Sequence, residues 1–337
     1  MQKIKRREFI NGLSALSAGV FISGHSNAGS LVPKILPSNI RIGIVGLSVH
    51  SAAFTKLLND PQKDATLAGC TMNLFYHPKG NADVDFTPEQ LQKFESEIVS
   101  CGGKRAGSMD ELLSQVDAVM IETNDGRPHL TEVMPVFKAG KPVFIDKPVA
   151  ATLSGVVEIY KNAERYKVPV FSSSALRYIE SAMKINRTDV LGAFTYSPAP
   201  TQASHTDLFW YGIHGVELLY TVMGTGCKEV SHIHSTEKED LVVGFWENGR
   251  VGTFRGIRDG RRDYGGTVFG RNVNVTLGTF GGYKPLVEQV VVFFRTGVPP
   301  VSPQETIELY TFMEAAQESR KKGGAKVSIE KILSKAK

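Results

Sequence analysis

The run Ile40-Arg41-Ile42-Gly43-Ile44-Val45-Gly46 decides the fold. It is short, rich in β-branched side chains and ends on glycine, and it gives way to a helical spacing of apolar residues that reaches Leu58. Such a run reads as a strand buried on both faces that turns into a helix. The pattern then repeats: a strand from Ala65 to Cys70, a helix from Pro88 to Val99, a strand from Val116 to Glu122, a helix from His129 to Lys138 and a strand from Pro142 to Ile145. Strands alternating with helices at this spacing predict an α/β unit, a doubly wound parallel sheet over residues 40–150. The alternation carries on through a helix to Tyr166 and a strand from Val168 to Ser172.

Beyond Asp189 the character changes. Gly192–Tyr196, Val230–His234, Leu241–Trp246, Arg250–Gly256, Thr267–Phe269 and Val273–Leu277 are strand-like and separated by Gly, Asn or Asp turns. Successive hairpins predict a large, open, mostly antiparallel sheet. One helix from Leu208 to Met223 interrupts it and another from Gln304 to Lys321 closes it. Residues 151–337 therefore read as an α+β substrate and oligomerisation domain, whose last helix is able to pack back on the first.

Upstream of Ile40 the sequence is of another kind. The 337 residues are 42% hydrophobic and 22% charged with a net charge of +5, which excludes disordered, collagen-like and disulfide-dense classes and leaves length for two domains. Lys3, Lys5, Arg6 and Arg7 against Glu8 place +3 of that charge in the first 28 residues. What remains is no footprint for nucleic acid or an anionic membrane. An uncharged apolar stretch to Gly24 and the small residues of Ser26-Asn27-Ala28 complete a signal peptide over residues 1–28. The stretch is short for a membrane span of about 20 residues, so no stable membrane insertion is expected after processing. Lys5-Arg6-Arg7-Glu8-Phe9-Ile10 resembles the twin-arginine export pattern, which implies a periplasmic or otherwise exported protein that folds, cofactor included, before export; the alternative is a general secretory signal with two arginines, which shares the same layout. Residues 29–39 form a linker. Cys70, Cys101 and Cys227 have no metal-ligand spacing; either one pair bridges or they are small buried apolar side chains.

A dinucleotide-binding turn after the first strand takes Gly-x-Gly-x-x-Gly. Here the register gives Gly46-Leu47-Ser48-Val49-His50-Ser51, with Gly46 kept and Ser48 and Ser51 in place of the others. The helix N-terminus still offers amides to a phosphate. Gly69-Cys70-Thr71-Met72-Asn73 has no acid for a ribose 2′-hydroxyl. The cofactor is then NADP met by Lys79, or the ribose is held differently, or the site is degenerate.

Gly140-Lys141-Pro142-Val143-Phe144-Ile145-Asp146-Lys147-Pro148 resembles the "AGK-x-V-x-x-EKP" hallmark of the glucose–fructose oxidoreductase, inositol dehydrogenase and rhizopine-catabolism (Gfo/Idh/MocA) family. Asp117 to Asn124 with Pro128-His129 resembles that family's fourth-strand segment, Val170 to Tyr178 its next strand and arginine, and Tyr211-Gly212-Ile213-His214-Gly215-Val216-Glu217 its "D-x-G-x-H-x-x-D" helix. The resemblance implies a Rossmann-like first domain that binds NAD or NADP through Gly46, Ser48, Ser51, Thr123, Asn124, His129, Asp146 and Lys147. It places Lys147 between nicotinamide and substrate as acid/base, with Pro148 aiming it, and makes His214 the second catalytic residue. Asp146 stands for the family's Glu. The family's Asp four residues before its histidine is Trp210 here, leaving Asp207 a turn further back as a substitute.

Trp210, His214 and Glu217 share one helical face, and Trp210 either stacks on a sugar ring or packs in a core. Tyr211 and His214 are substrate candidates with it. Arg127 and Arg177 follow strands whose carboxyl ends bind ligands in such sheets, which makes them substrate or pyrophosphate candidates. His232 and His234 alternate on a strand and face one side, yet they lack a carboxylate at metal spacing, so no metal is expected. Arg255, Arg258, Arg261, Arg262 and Asp263 read as a solvated hairpin. Together these features predict a homo-oligomeric NAD(P)-dependent oxidoreductase, paired through its C-terminal sheet, acting on a sugar, polyol or sugar derivative. The resemblance leaves two modes, paired redox turnover and transient oxidation that assists elimination or glycoside cleavage. The serines, the missing acid and Trp210 motivate the alternative, a carbohydrate binder without redox turnover.

Overall fold

The computed structural model describes residues 37–336 apart from residue 279. The signal at 1–28 and most of the linker lie outside the described residues. From Ile40 the chain runs β1 (Ile40–Val45), α1 (Val49–Asn59), β2 (Cys70–Tyr76), α2 (Pro88–Ser100), β3 (Lys104–Arg105), α3 (Met109–Gln115), β4 (Ala118–Ile121), α4 (His129–Lys138), β5 (Val143–Ile145), α5 (Leu153–Tyr166) and β6 (Val170–Ser172). These strands form one sheet in the order β3-β2-β1-β4-β5-β6, all parallel. The order reverses between β1 and β4, which opens a crevice at their carboxyl ends.

The period of two decides what lies on each face. Ile42, Ile44, Met120 and Phe144 join one buried cluster, while Val45, Val119, Ile121, Val143 and Ile145 join the other. That double burial is why β1 reads as a nearly continuous apolar run.

The second sheet follows: α6 (Glu180–Met183), β7 (Val190–Pro198), α7 (Ile213–Met223), β8 (Cys227–Ser235), β9 (Glu239–Trp246), β10 (Val251–Ile257), β11 (Gly265–Gly270), β12 (Asn274–Leu277), α8 (Lys284–Thr296), α9 (Pro303–Lys321), β13 (Val327–Ser328) and α10 (Ile329–Ala336). Its order is β12-β11-β7-β10-β9-β8-β13, antiparallel except for the pairing of β7 with β10. Helix α8 returns to the first sheet, where Leu286, Val287 and Val290 join the cluster of Ile42 and Ile44. No helix among the described residues is long and apolar enough to cross a membrane. The cysteines are free.

Three expectations change. The second strand is Cys70–Tyr76 and not Ala65–Cys70: Ala65–Leu67 is a 3-10 turn, and Gly69 at φ +74° turns the chain into the sheet. The helix expected from Leu208 is split, with a 3-10 turn at Asp207–Phe209 and α7 capped by Gly212. A register shift between His232 and His234 sends them to different surroundings. His232 is buried on Asp240 at 3.0 Å, whereas His234 is exposed.

A candidate active site at the carboxyl ends of the strands

A cleft of about 400 Å³ opens over β1, β4, β5 and β6. Its floor is Ser48, Val49 and His50 after β1, Asn124 after β4, Asp146 and Lys147 after β5, and Ser174 after β6. The second half of the chain supplies Trp210, Tyr211, His214, Tyr264, Phe280 and Tyr283. Mostly apolar walls with a few converging polar groups are what small-molecule sites look like.

Lys147 is half-buried, its Nζ 5.6 Å from the centre of the Tyr211 ring. The Tyr211 and Tyr264 hydroxyls meet at 2.9 Å. Burial pushes the Tyr264 phenol well up, and burial followed by the Asp146 charge raises that of Tyr283, so both remain protonated donors near neutral pH. His214 lies against the Tyr211 ring at 4.9 Å, and its Nδ1 hydrogen-bonds Ser174 Oγ at 2.6 Å. Burial, then the charges of Lys147 and His50, hold its pKa well below the histidine range, so the ring is neutral at pH 7. Asp207 does not serve it, being paired with Arg320.

The orienting acid of this site is Glu217. It is buried, 3% exposed, and accepts from Ser173 Oγ at 2.8 Å, the Ser174 amide at 2.7 Å and Arg177 Nε at 2.7 Å. His214 and Glu217 thus share a face of α7 and converge on Ser174. Trp210 precedes that helix and packs on His205 at 5.0 Å while also lining the cleft.

Arg177 lies behind this wall and not in the cleft, buried between Glu217 and Glu305. Arg127 is likewise engaged, bound to Asp83 and Asp125. His129 is fully buried below the cleft, its ring nitrogens 3.1 Å from the Val149 carbonyl and 2.9 Å from that of Thr123. Thr123 donates to Glu132 at 3.0 Å.

The residues fit the nicotinamide half of a dinucleotide. Gly46 at φ +98° brings the loop against β4 so closely that a Cβ there would lie 2.4 Å from the Thr123 amide nitrogen. The first amides of α1, on Val49 and His50, remain as terminal donors at the cleft. The loop's serines serve the helix itself: Ser48 Oγ accepts from the Ser51 amide at 3.1 Å and Ser51 Oγ accepts from the Ser48 amide at 2.8 Å.

The adenosine end is built differently. The true end of β2 leads into Tyr76-His77-Pro78-Lys79, which has no acid but does place the exposed Lys79 there. The segment that follows, 77–87, straps the crevice. Asn81 donates to Asp125 at 2.6 Å, Asn124 to the Val84 carbonyl at 3.0 Å, Gln202 to the Asp83 carbonyl at 3.1 Å, and Arg127 holds Asp83. Only about 10 Å³ stays open beneath it.

Sequence reasoning missed His50, Glu122, Ser174, Tyr264 and Tyr283. Glu122 had a signal, a charged residue ending an apolar strand, and so did His50, an imidazole in the phosphate loop. The tyrosines come from distant loops and had none.

Residues 40–174 match the Gfo/Idh/MocA family, described as an oxidoreductase family with an NAD-binding Rossmann fold. No curated protein sequence matches the chain. Among solved structures it is similar to a "probable dehydrogenase" of Thermotoga maritima (19% identity, TM-score 0.67, 87% of this chain and 100% of that one). It is similar too to scyllo-inositol dehydrogenase of Lactobacillus casei with bound NAD(H) and scyllo-inositol (15%, 0.67, 87% and 99%). A third is myo-inositol 2-dehydrogenase of Lactobacillus plantarum (15%, 0.68, 86% and 99%). At these identities the likeness establishes the fold.

Proposed function

We propose that the chain is a Gfo/Idh/MocA oxidoreductase that oxidises or reduces a secondary alcohol of a sugar, polyol or sugar derivative with NAD or NADP. One observation carries this reading: Lys147 and the neutral His214 face the same aromatic-walled cleft, at the strand ends where the nicotinamide half fits. Aromatic faces suit the C–H surface of a sugar ring, and the Tyr211–Tyr264 pair and His214 supply hydrogen bonds to its hydroxyls. The dinucleotide, when bound, supplies the hydride acceptor or donor. Lys147 takes the hydroxyl proton at Nζ during oxidation and returns it during reduction. Ser174 holds the His214 ring in place and Glu217 holds Ser174. The aromatic walls exclude water around the reacting carbon.

The test begins with protein folded in the producing cell and then denatured. It should release about one NAD(H) or NADP(H) per chain, and Lys147→Met should abolish alcohol oxidation while the nucleotide is retained. No nucleotide released, and none bound when supplied, defeats this reading. The strap over residues 77–87 favours a second one, carbohydrate binding without redox turnover. Glycan affinity unchanged in Lys147→Met, with no cofactor bound by either protein, would select it. The protein acts outside the cytoplasm through its twin-arginine-like signal and pairs through the open C-terminal sheet. Arg6→Lys with Arg7→Lys should trap it inside the cell, and sedimentation should find a homo-oligomer.

A further inference from the structure

Three side chains at the carboxyl ends of the strands, two lining the cleft and one fully buried, have no part in that mechanism. His50 comes from the first turn of α1, Glu122 from the end of β4 and Asp146 from the end of β5. One nitrogen and two carboxylate oxygens from these neighbouring elements lie within 4.8 Å of one another. Glu122 is 0% exposed and Asp146 4%. Both oxygens of Glu122 and Oδ1 of Asp146 lack a hydrogen-bond partner. Buried polar atoms are nearly always satisfied, and two adjacent buried carboxylates with three orphan oxygens are unfavourable unless something positive sits between them.

The His50 ring reaches one of them, its Nδ1 2.6 Å from Asp146 Oδ2, and the charge of Lys147 acts on both from the cleft side without closing on the orphan oxygens. That ring is held from behind, stacked on Phe54 at 5.4 Å and edge-on to Tyr283 at 4.9 Å. Its nitrogen therefore stays aimed at the carboxylates, as packing around a metal-binding histidine does.

We infer that His50, Glu122 and Asp146 bind a divalent first-row transition cation. One imidazole and two carboxylates are a borderline donor set that suits zinc or manganese. Three protein ligands leave coordination positions open, and the remaining side faces the cleft, where His50 and Asp146 are part of the lining. The cation takes the place of the hydrogen bond between His50 and Asp146 and gives the orphan oxygens a partner. Water or a substrate hydroxyl fills the open position, so the bound class is an oxygen ligand. Strands β4 and β5 are adjacent and rigid, which fixes two of the three ligands before any cation arrives.

The test uses the intact purified chain, stripped with a chelator and dialysed. Calorimetric titration with Zn²⁺ and with Mn²⁺ should give one site per chain, and the midpoint of thermal unfolding should rise with cation concentration, as binding to the native state alone requires. Glu122→Gln keeps the shape and removes a ligand, so its affinity should fall by about 10–100-fold or more. The stripped variant should melt at or above the stripped wild type, since a buried acid without a hydrogen-bond partner is gone. His50→Gln, at a half-buried position, repeats the test should Glu122→Gln fail to fold. His234→Gln, an exposed histidine elsewhere, should bind as the wild type does. No cation bound by the wild type, or equal stoichiometry and affinity in all variants, overturns the inference; the carboxyls then share a proton. The outcome is separate from the oxidoreductase reading, because nucleotide content is measured independently: cation without nucleotide defeats that reading alone, and nucleotide without cation defeats this one alone.

Discussion

Replacing Arg177 by Met separates a structural arginine from a substrate-binding one. Its Nε and Nη1 lie 2.7 Å from Glu217 and 2.6 Å from Glu305, with side-chain exposures of 6%, 4% and 11% for the three residues. Removing one partner of a buried ion pair costs about 3–5 kcal/mol, because the other charge is left without compensation. Here the lower half of that range applies. Arg187 still approaches Glu305 at 3.7 Å, and Ser173 and the Ser174 amide still donate to Glu217. With roughly 2.1 cal/mol/K of unfolding entropy per residue, a fold of about 300 residues should lose roughly 5–6 °C in Tm. The loss should depend on pH. Burial already raises the Glu217 pKa against the pull of Arg177, and without the arginine it rises further. A carboxyl with a raised folded pKa contributes stability that is full below its unfolded pKa and lost as pH rises through the folded value. The deficit of the variant should thus be small near pH 5 and larger at pH 8, read by thermal unfolding across that range. An unchanged Tm at pH 8 together with weakened sugar binding would refute the reasoning and return Arg177 to the substrate.

Other expectations are narrower. Gly46→Ala forces a Cβ to within 2.4 Å of backbone at φ +98° and should cost about 1–3 kcal/mol, seen as a lowered denaturant midpoint; an unchanged midpoint would mean that the loop relaxes freely. Burial pushes the Cys70 and Cys227 thiols up to about 11 and about 12, so a thiol reagent at pH 8 should label Cys101 first and all three only after unfolding; prompt labelling of two or three in the native protein contradicts this burial. Burial lowers the His205 pKa against the pull of Asp125, so stability is full above pH 6.5 and lost as pH falls toward the folded value. His205→Gln should narrow the Tm difference between pH 7.5 and 5.5, and a difference equal to that of the wild type would assign the acid loss to another group.

What could be read beforehand follows from how local each signal is. β1 announces itself because both its faces are buried, and Lys147 and His214 stand within runs whose neighbours fix their place. The second strand was misplaced because Ala65 to Cys70 is as apolar as a strand, and only the positive φ of Gly69 reveals the turn. Helix α8 went unread: Val290-Val291-Val292-Phe293-Phe294 favours a strand locally, and packing of its face on the first sheet makes it a helix. His232 and His234 alternate in sequence, but a bulge breaks the period of two that would have put them together. Tyr264 and Tyr283 reach the cleft from loops nearly twenty residues apart, a placement that no periodicity encodes.

The departures from a dinucleotide-binding turn are not independent losses. Ser48 and Ser51 satisfy one another's amides, and the end of β2, where a ribose acid would stand, begins a strap fastened to Asn124, Asp125, Arg127 and Gln202. A histidine then takes the loop position that faces two buried carboxylates. These groups are tied up within the chain, whereas both oxygens of Glu122 and Oδ1 of Asp146 have no hydrogen-bond partner, nor does His77 Nδ1. Restoring a single glycine would therefore break the reciprocal cap without loosening the strap, and nucleotide affinity should gain nothing from it. The unsatisfied atoms lie beside the His50 ring, and the proposed cation is the partner that would satisfy both oxygens of Glu122 and Oδ1 of Asp146 at once.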